Sequence, residues 1–136
     1  MTYYADLDRY VYLPDTVPEG QAALTVGWLD SKHSYPTGPS SEEFVERLFE
    51  RCDSDRHGQT RGLKDCAICW HDGIDEWPVV MERGGVKLTM GSAEIRVPDG
   101  TTWLVAPDLI YHYVVKHSYL PPSRFVDAVL SDGRIE

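Results

Sequence analysis

Apolar residues recur every three to four positions in three stretches of the chain and every second position in several others. Between Ser40 and Cys52, Phe44, Val45, Leu48 and Phe49 fall on one face of a helix, and Cys52 follows three residues after Phe49. Ser40 or Ser41 can cap it, and Glu42 and Glu43 sit in the first turn, where the helix dipole favours negative charge. This spacing predicts a helix over about 41–52. A second helix is expected over 107–117, "PDLIYHYVVKH", with Pro107 at its first position and Asp108 beside the positive end of the dipole. Leu109, Ile110, Tyr113 and Val114 form its apolar face, Lys116 and His117 close its last turn, and Pro121-Pro122 stops it. A third, "SRFVDAVL" (123–130), packs back onto the rest.

The alternating and β-favouring runs are "RYVYLP" (9–14), "ALTVGWLD" (23–30), "VVME" (79–82), "VKLTM" (86–90), "AEIRV" (93–97) and "TTWLV" (101–105). Arg83-Gly84-Gly85 and Pro98-Asp99-Gly100 supply hairpin turns between the last four, because positive φ is accessible to glycine. Residues 75–107 therefore read as a β-meander. "SKHSYPTGPSS" (31–41) and "DSDRHGQTRGLKD" (53–65) read as loops. The fold class expected is α+β: a single domain over residues 1–136, with an antiparallel sheet of about five or six strands and two or three helices on one side.

Size and charge narrow the field. A chain of 136 residues suits one domain, and a hydrophobic content of 42% argues against disorder. With 13 basic and 22 acidic residues the net charge is −9, which disfavours nucleic acid and anionic lipid as partners. The N-terminus lacks the basic start and apolar centre of a signal peptide, and no apolar run approaches a membrane span. A cytoplasmic protein with a protein partner is the expectation, its oligomeric state open. Tyr3, Tyr4, Tyr10 and Tyr12 with Trp28 form one candidate partner patch. The aromatic stripe of "IYHYVVKHSY" reads as core.

The three cysteines bring in chemistry. An odd count without an export signal argues against a disulfide framework. Cys66 and Cys69 form C-x-x-C, and His112 and His117 follow as H-x4-H, the ligand order of a tetrahedral zinc site. Positions 70–111 separate the two pairs, far more than the usual dozen or so residues. Residues five apart on an ideal helix also point about 140° away from each other. Both histidines can face one ion only if the last turn loosens near Ser118.

Other readings stay open beside this one. Cys52 and His57 with Cys66 and Cys69 form a second metal set. C-x-x-C is also a redox motif, disfavoured by the antiparallel stretch that follows it. All these residues can also be core or helix-end residues with no metal. Asp72, Asp75 and Glu76 beside His71 offer the base that a metal-dependent hydrolase would need. The leading expectation is a non-catalytic, macromolecule-binding module with a structural zinc, and the hydrolase is the alternative.

The strings "GWLD" (27–30), "RGLKDCAIC" (61–69), "GSAEIRV" (91–97) and "APDLIYHYVVKHSYLPPSRFVDAV" (106–129) resemble a family of small uncharacterised bacterial proteins. The resemblance covers nearly the whole chain and is most specific from residue 91 onward. It implies that Cys66, Cys69, His112 and His117 occupy motif positions. The sequence departs from the family pattern at Lys64, where that pattern has histidine, and its hairpin around "MERGGVKLTM" is longer. No activity comes with the resemblance.

Overall fold

The computed structural model describes residues 3–58, 63–74 and 77–131. Its elements run β1 (Ala22–Thr25), α1 (Glu42–Ser54), α2 (Ala67–His71), β2 (Val80–Arg83), β3 (Val86–Thr89), β4 (Glu94–Asp99), β5 (Thr102–Pro107), α3 (Ile110–His117) and α4 (Ser123–Ser131). The class is α+β. The expected single antiparallel sheet is instead two small sheets. One is three-stranded in the order β1-β5-β4, with β1 parallel to β5 and β4 antiparallel to it; the other is the β2–β3 hairpin alone. The meander breaks between Thr89 and Glu94, where Gly91 has a φ of +105° and turns the chain away.

Helix α1 starts as its sequence dictates: the Ser41 hydroxyl accepts from the Phe44 amide, and Phe44, Leu48, Phe49 and Cys52 are buried. It packs on α3, α4 and β4, and α4 also packs on β4. Strand β5 sorts its side chains by alternation. Leu104 and Ala106 join the large core with the helices, whereas Trp103 and Val105 face a second cluster formed by Tyr10, Ala23 and Trp28. The tyrosines near the N-terminus thus cover the back of the sheet. Tyr4, Tyr10 and Tyr12 all make ring contacts with Trp28, so most of the expected partner patch is internal packing.

Two expected elements change. "RYVYLP" is not a strand: Arg9 makes an isolated bridge to Leu24, and a 3-10 turn follows at Pro14–Thr16. Pro107 does not open the second helix. It ends β5 opposite Glu94, and α3 begins at Ile110. Strand pairing there reaches further than the helical pattern suggested, because Glu94 offers Pro107 a partner across the ladder that sequence spacing cannot reveal. No helix among the described residues is long and apolar enough to cross a membrane.

Candidate metal centre

The C-x-x-C segment opens a short helix. Cys66 is the N-cap of α2, and its sulfur accepts from the Cys69 amide at 3.4 Å. One turn of helix thereby turns both sulfurs to the same side. The histidines come from α3, whose last turn is wide. The Ser118 amide bonds the carbonyl of Tyr113 five residues back, and Ser118 takes the left-handed conformation at φ 55°. The Tyr119 amide closes on the same carbonyl at 3.1 Å. This opened turn rotates His117 toward His112, and their rings lie 5.1 Å apart.

The two halves meet. One donor atom from each of Cys66, Cys69, His112 and His117 lies within 4.8 Å of the others. Cys66 Sγ is 3.4 Å from His117 Nε2, and Cys69 Sγ is 3.3 Å from both His112 Nε2 and His117 Nε2. Zinc–sulfur and zinc–nitrogen bonds at a tetrahedral angle place S and N about 3.6 Å apart. The observed separations are therefore close to those of one shared ion. Cys66, Cys69 and His112 are buried, and His117 is partly so. The cluster could hold a metal ion.

Its electrostatics point the same way. Burial, and then the neighbouring Cys69, push the Cys66 thiol up to about 12, with part of the effect offset by amide hydrogen bonds. Burial, then His117 and Lys116, hold His112 down at about 4. At neutral pH His112 is a neutral imidazole, as ligation requires. The Cys66 thiol keeps its proton unless a cation takes its place. His112 Nδ1 is buried without a hydrogen-bond partner, a cost that a bond at Nε2 would have to offset.

A chain of polar contacts holds the two halves in register, and the sequence did not disclose it. The Lys64 amide, two residues before Cys66, bonds Gly91 O at 2.9 Å. The Gly91 amide in turn bonds Asp108 Oδ1 at 2.7 Å, four residues before His112. A Cβ on Gly91 would lie 2.4 Å from Lys64 O, so only glycine lets the loop dock here. Asp108 is fully buried beside Arg56, at 3.4 Å, and burial holds its carboxyl above the usual range. The readable signal is the glycine that opens "GSAEIRV".

The alternative metal set does not assemble. The Cys52 thiol donates to Asp108 O at 3.6 Å, and His57 pairs with Asp55 at 2.6 Å. The redox reading gains a helix start, but among the described residues no strand leads into it, and the Cys66 thiol is shifted away from thiolate. His71 and Asp72 are exposed at the end of α2, and Asp75 and Glu76 lie outside the described residues. The cavity lined by Trp28, Lys64, Glu94 and Asp108 has a volume of about 30 Å³ and is lined by none of the four donors.

A second polar cluster was legible only as two charges in an apolar strand, "AEIRV". Buried Glu94 accepts from Tyr10 Oη at 2.7 Å and from Arg96 Nη2 at 3.2 Å. Arg96 also donates to Thr16 O at 3.0 Å and lies over Trp103.

No curated protein and no solved structure matches the chain. A family model does match, over residues 2–130. That span takes in both halves of the Cys/His cluster and the Gly91 link between them, and the chain belongs to the family described as Domain of unknown function (DUF7919).

Proposed function

We propose that this chain is a non-catalytic protein-binding module in which one structural zinc ion, held by Cys66, Cys69, His112 and His117, ties the loop after α1 to the end of α3. The mutual approach of four donor atoms within 4.8 Å carries this reading. Two thiolates and two imidazoles suit zinc over calcium or magnesium, which take oxygen ligands. Four protein donors fill a tetrahedron, whereas a catalytic zinc keeps one position for water. An odd count of three cysteines suits the reducing cytoplasm. The acidic balance supports a protein partner over nucleic acid or anionic lipid.

The test is metal analysis of protein purified without chelator, with Cys66→Ser alongside. One zinc per chain is expected, falling below about 0.2 in the variant as one of four ligands is lost. A wild-type chain below that level overturns the zinc reading. A site with three protein ligands and a bound water, seen by X-ray absorption, would overturn the structural role in favour of the hydrolase.

A further inference from the structure

The segment that carries the cysteine pair buries its sulfurs and exposes its largest apolar side chains. Trp70, directly after Cys69, is 71% exposed, Ile74 is 47% and Trp77 is 59%. The other two tryptophans are treated differently: Trp28 is buried, and Trp103 lies under Arg96, whose guanidinium carbon is 5.6 Å from the ring. Large apolar side chains held in water on one short segment are what binding surfaces show, and tryptophan dominates binding energy where it occurs.

The described residues on either side of 75–76 are each anchored by hydrogen bonds. Helix α2 is fixed by its buried sulfurs, and the Ile74 amide closes on Cys69 O at 2.8 Å. The Trp77 indole donates to Leu63 O at 3.2 Å, closing the segment on its own start. Backbone anchored in this way has less freedom left to lose on binding.

Charge selects the occupant. From residue 65 to residue 82 the sequence carries Asp65, Asp72, Asp75, Glu76 and Glu82, with no lysine or arginine. Asp65 and Asp72, which bracket Trp70 in sequence, are both exposed. A second copy would bring the same acids and another net −9 against this face, and anionic lipid would be repelled too. A guanidinium satisfies both features: it stacks on indole and pairs with carboxylates. The chain already makes such a contact within itself, between Arg96 and Trp103.

We propose that Trp70, Ile74 and Trp77 form a docking surface for an arginine-bearing basic segment of another protein. This rests on the zinc-tied module above and names its partner's chemistry.

The test uses the full-length, zinc-loaded chain and a fluorescein-labelled octapeptide with four arginines, followed by anisotropy. A second octapeptide has glutamate in place of arginine. Saturable binding of the arginine peptide alone is expected. Trp70→Ala with Trp77→Ala should weaken it at least tenfold, with circular dichroism and zinc content unchanged. Asp15→Asn with Glu19→Gln, which removes two negative charges away from this segment, should change it less than twofold.

Four results would overturn the surface: no binding of the arginine peptide, binding that ignores the two tryptophans, self-association of the parent chain that the tryptophan pair abolishes, or tryptophan-dependent binding to phosphatidylglycerol vesicles. Zinc is measured on the same samples. A zinc-replete chain that fails to bind sinks the surface alone; a zinc-free chain that binds through the tryptophans sinks the zinc alone.

Discussion

Two buried polar clusters stand on opposite faces of the β4–β5 pair, and they differ in what can satisfy them. In the Glu94 cluster, carboxylate, guanidinium, phenol and hydroxyl complement one another. Glu94 accepts from Tyr10 and Arg96, and Arg96 donates to Thr16. In the Cys66–Cys69–His112–His117 cluster every group is a metal-ligand type, with sulfur and nitrogen 3.3–3.4 Å apart and no counter-charge among the four. A buried network with both signs of charge is closed largely by its own chain, here with Arg96 Nε left over. A buried set of soft donors can be closed by a cation, the role proposed here for zinc.

The sharpest way to break that contrast is to remove metal. A chelator should loosen the α2 segment and α3 while a self-closed cluster feels nothing directly. Structural zinc contributes binding free energy on the order of 10 kcal/mol. The expected outcome is a large fall in the thermal midpoint, with amide exchange rising first around Cys66–His71 and Ile110–His117. An unchanged midpoint in zinc-replete protein would erase the distinction.

The next largest effect belongs to the other cluster. Glu94→Ala leaves the Arg96 guanidinium buried without its carboxylate and should cost about 3–5 kcal/mol in denaturant unfolding. Replacing both charges, Glu94→Gln with Arg96→Met, should cost less than Glu94→Ala alone, because neither charge is stranded. Zinc content should stay unchanged in both.

Gly91→Ala strikes the link on the metal side. The left-handed φ and the Lys64 carbonyl 2.4 Å from the new Cβ predict a loss of about 1–3 kcal/mol. Weaker zinc retention should accompany it, read by competition with a chromophoric chelator. Retention equal to the parent would mean that the cysteine segment needs no docking on Gly91.

The smallest effect is a pH dependence. Burial, then the hydrogen bond and charge of Glu94, hold the Tyr10 phenol well above its usual value of 10.0. The folded state therefore keeps a proton that the unfolded chain releases. Stability from this contact is complete below pH 10 and is lost as pH rises above it. Tyr10→Phe should flatten the alkaline slope of urea unfolding and cost about 1–3 kcal/mol at neutral pH, since a Glu94 oxygen loses its donor. A slope unaltered by Tyr10→Phe would assign the alkaline loss elsewhere.

How much of this was legible in the chain differs by range. Helices α1 and α4, the Gly84-Gly85 turn and the aliphatic faces follow from period, caps and turn chemistry, and the structure has them within a residue or two. The strand expected at 9–14 failed because alternation in tyrosines reports one-sided packing, here onto Trp28, and not ladder pairing. Both hairpins of the expected meander form; the chain pattern did not show the break between them at Gly91, nor the parallel β1–β5 pairing, which joins strands far apart in sequence.

The four donor residues were likewise legible as types and spacings. The chain by itself determined which side chains can bind a soft cation, how acidic the surroundings are, and where α1 begins. Tertiary structure alone decided that Cys66 and His117 meet, that His112 is fully buried, and that Trp70 and Trp77 face water while Trp28 does not. The reason is physical. Periodicity and capping act within a turn or two of chain, whereas the distance between α2 and α3 is set by the wide turn at Ser118, the bare backbone at Gly91 and the core packed around both.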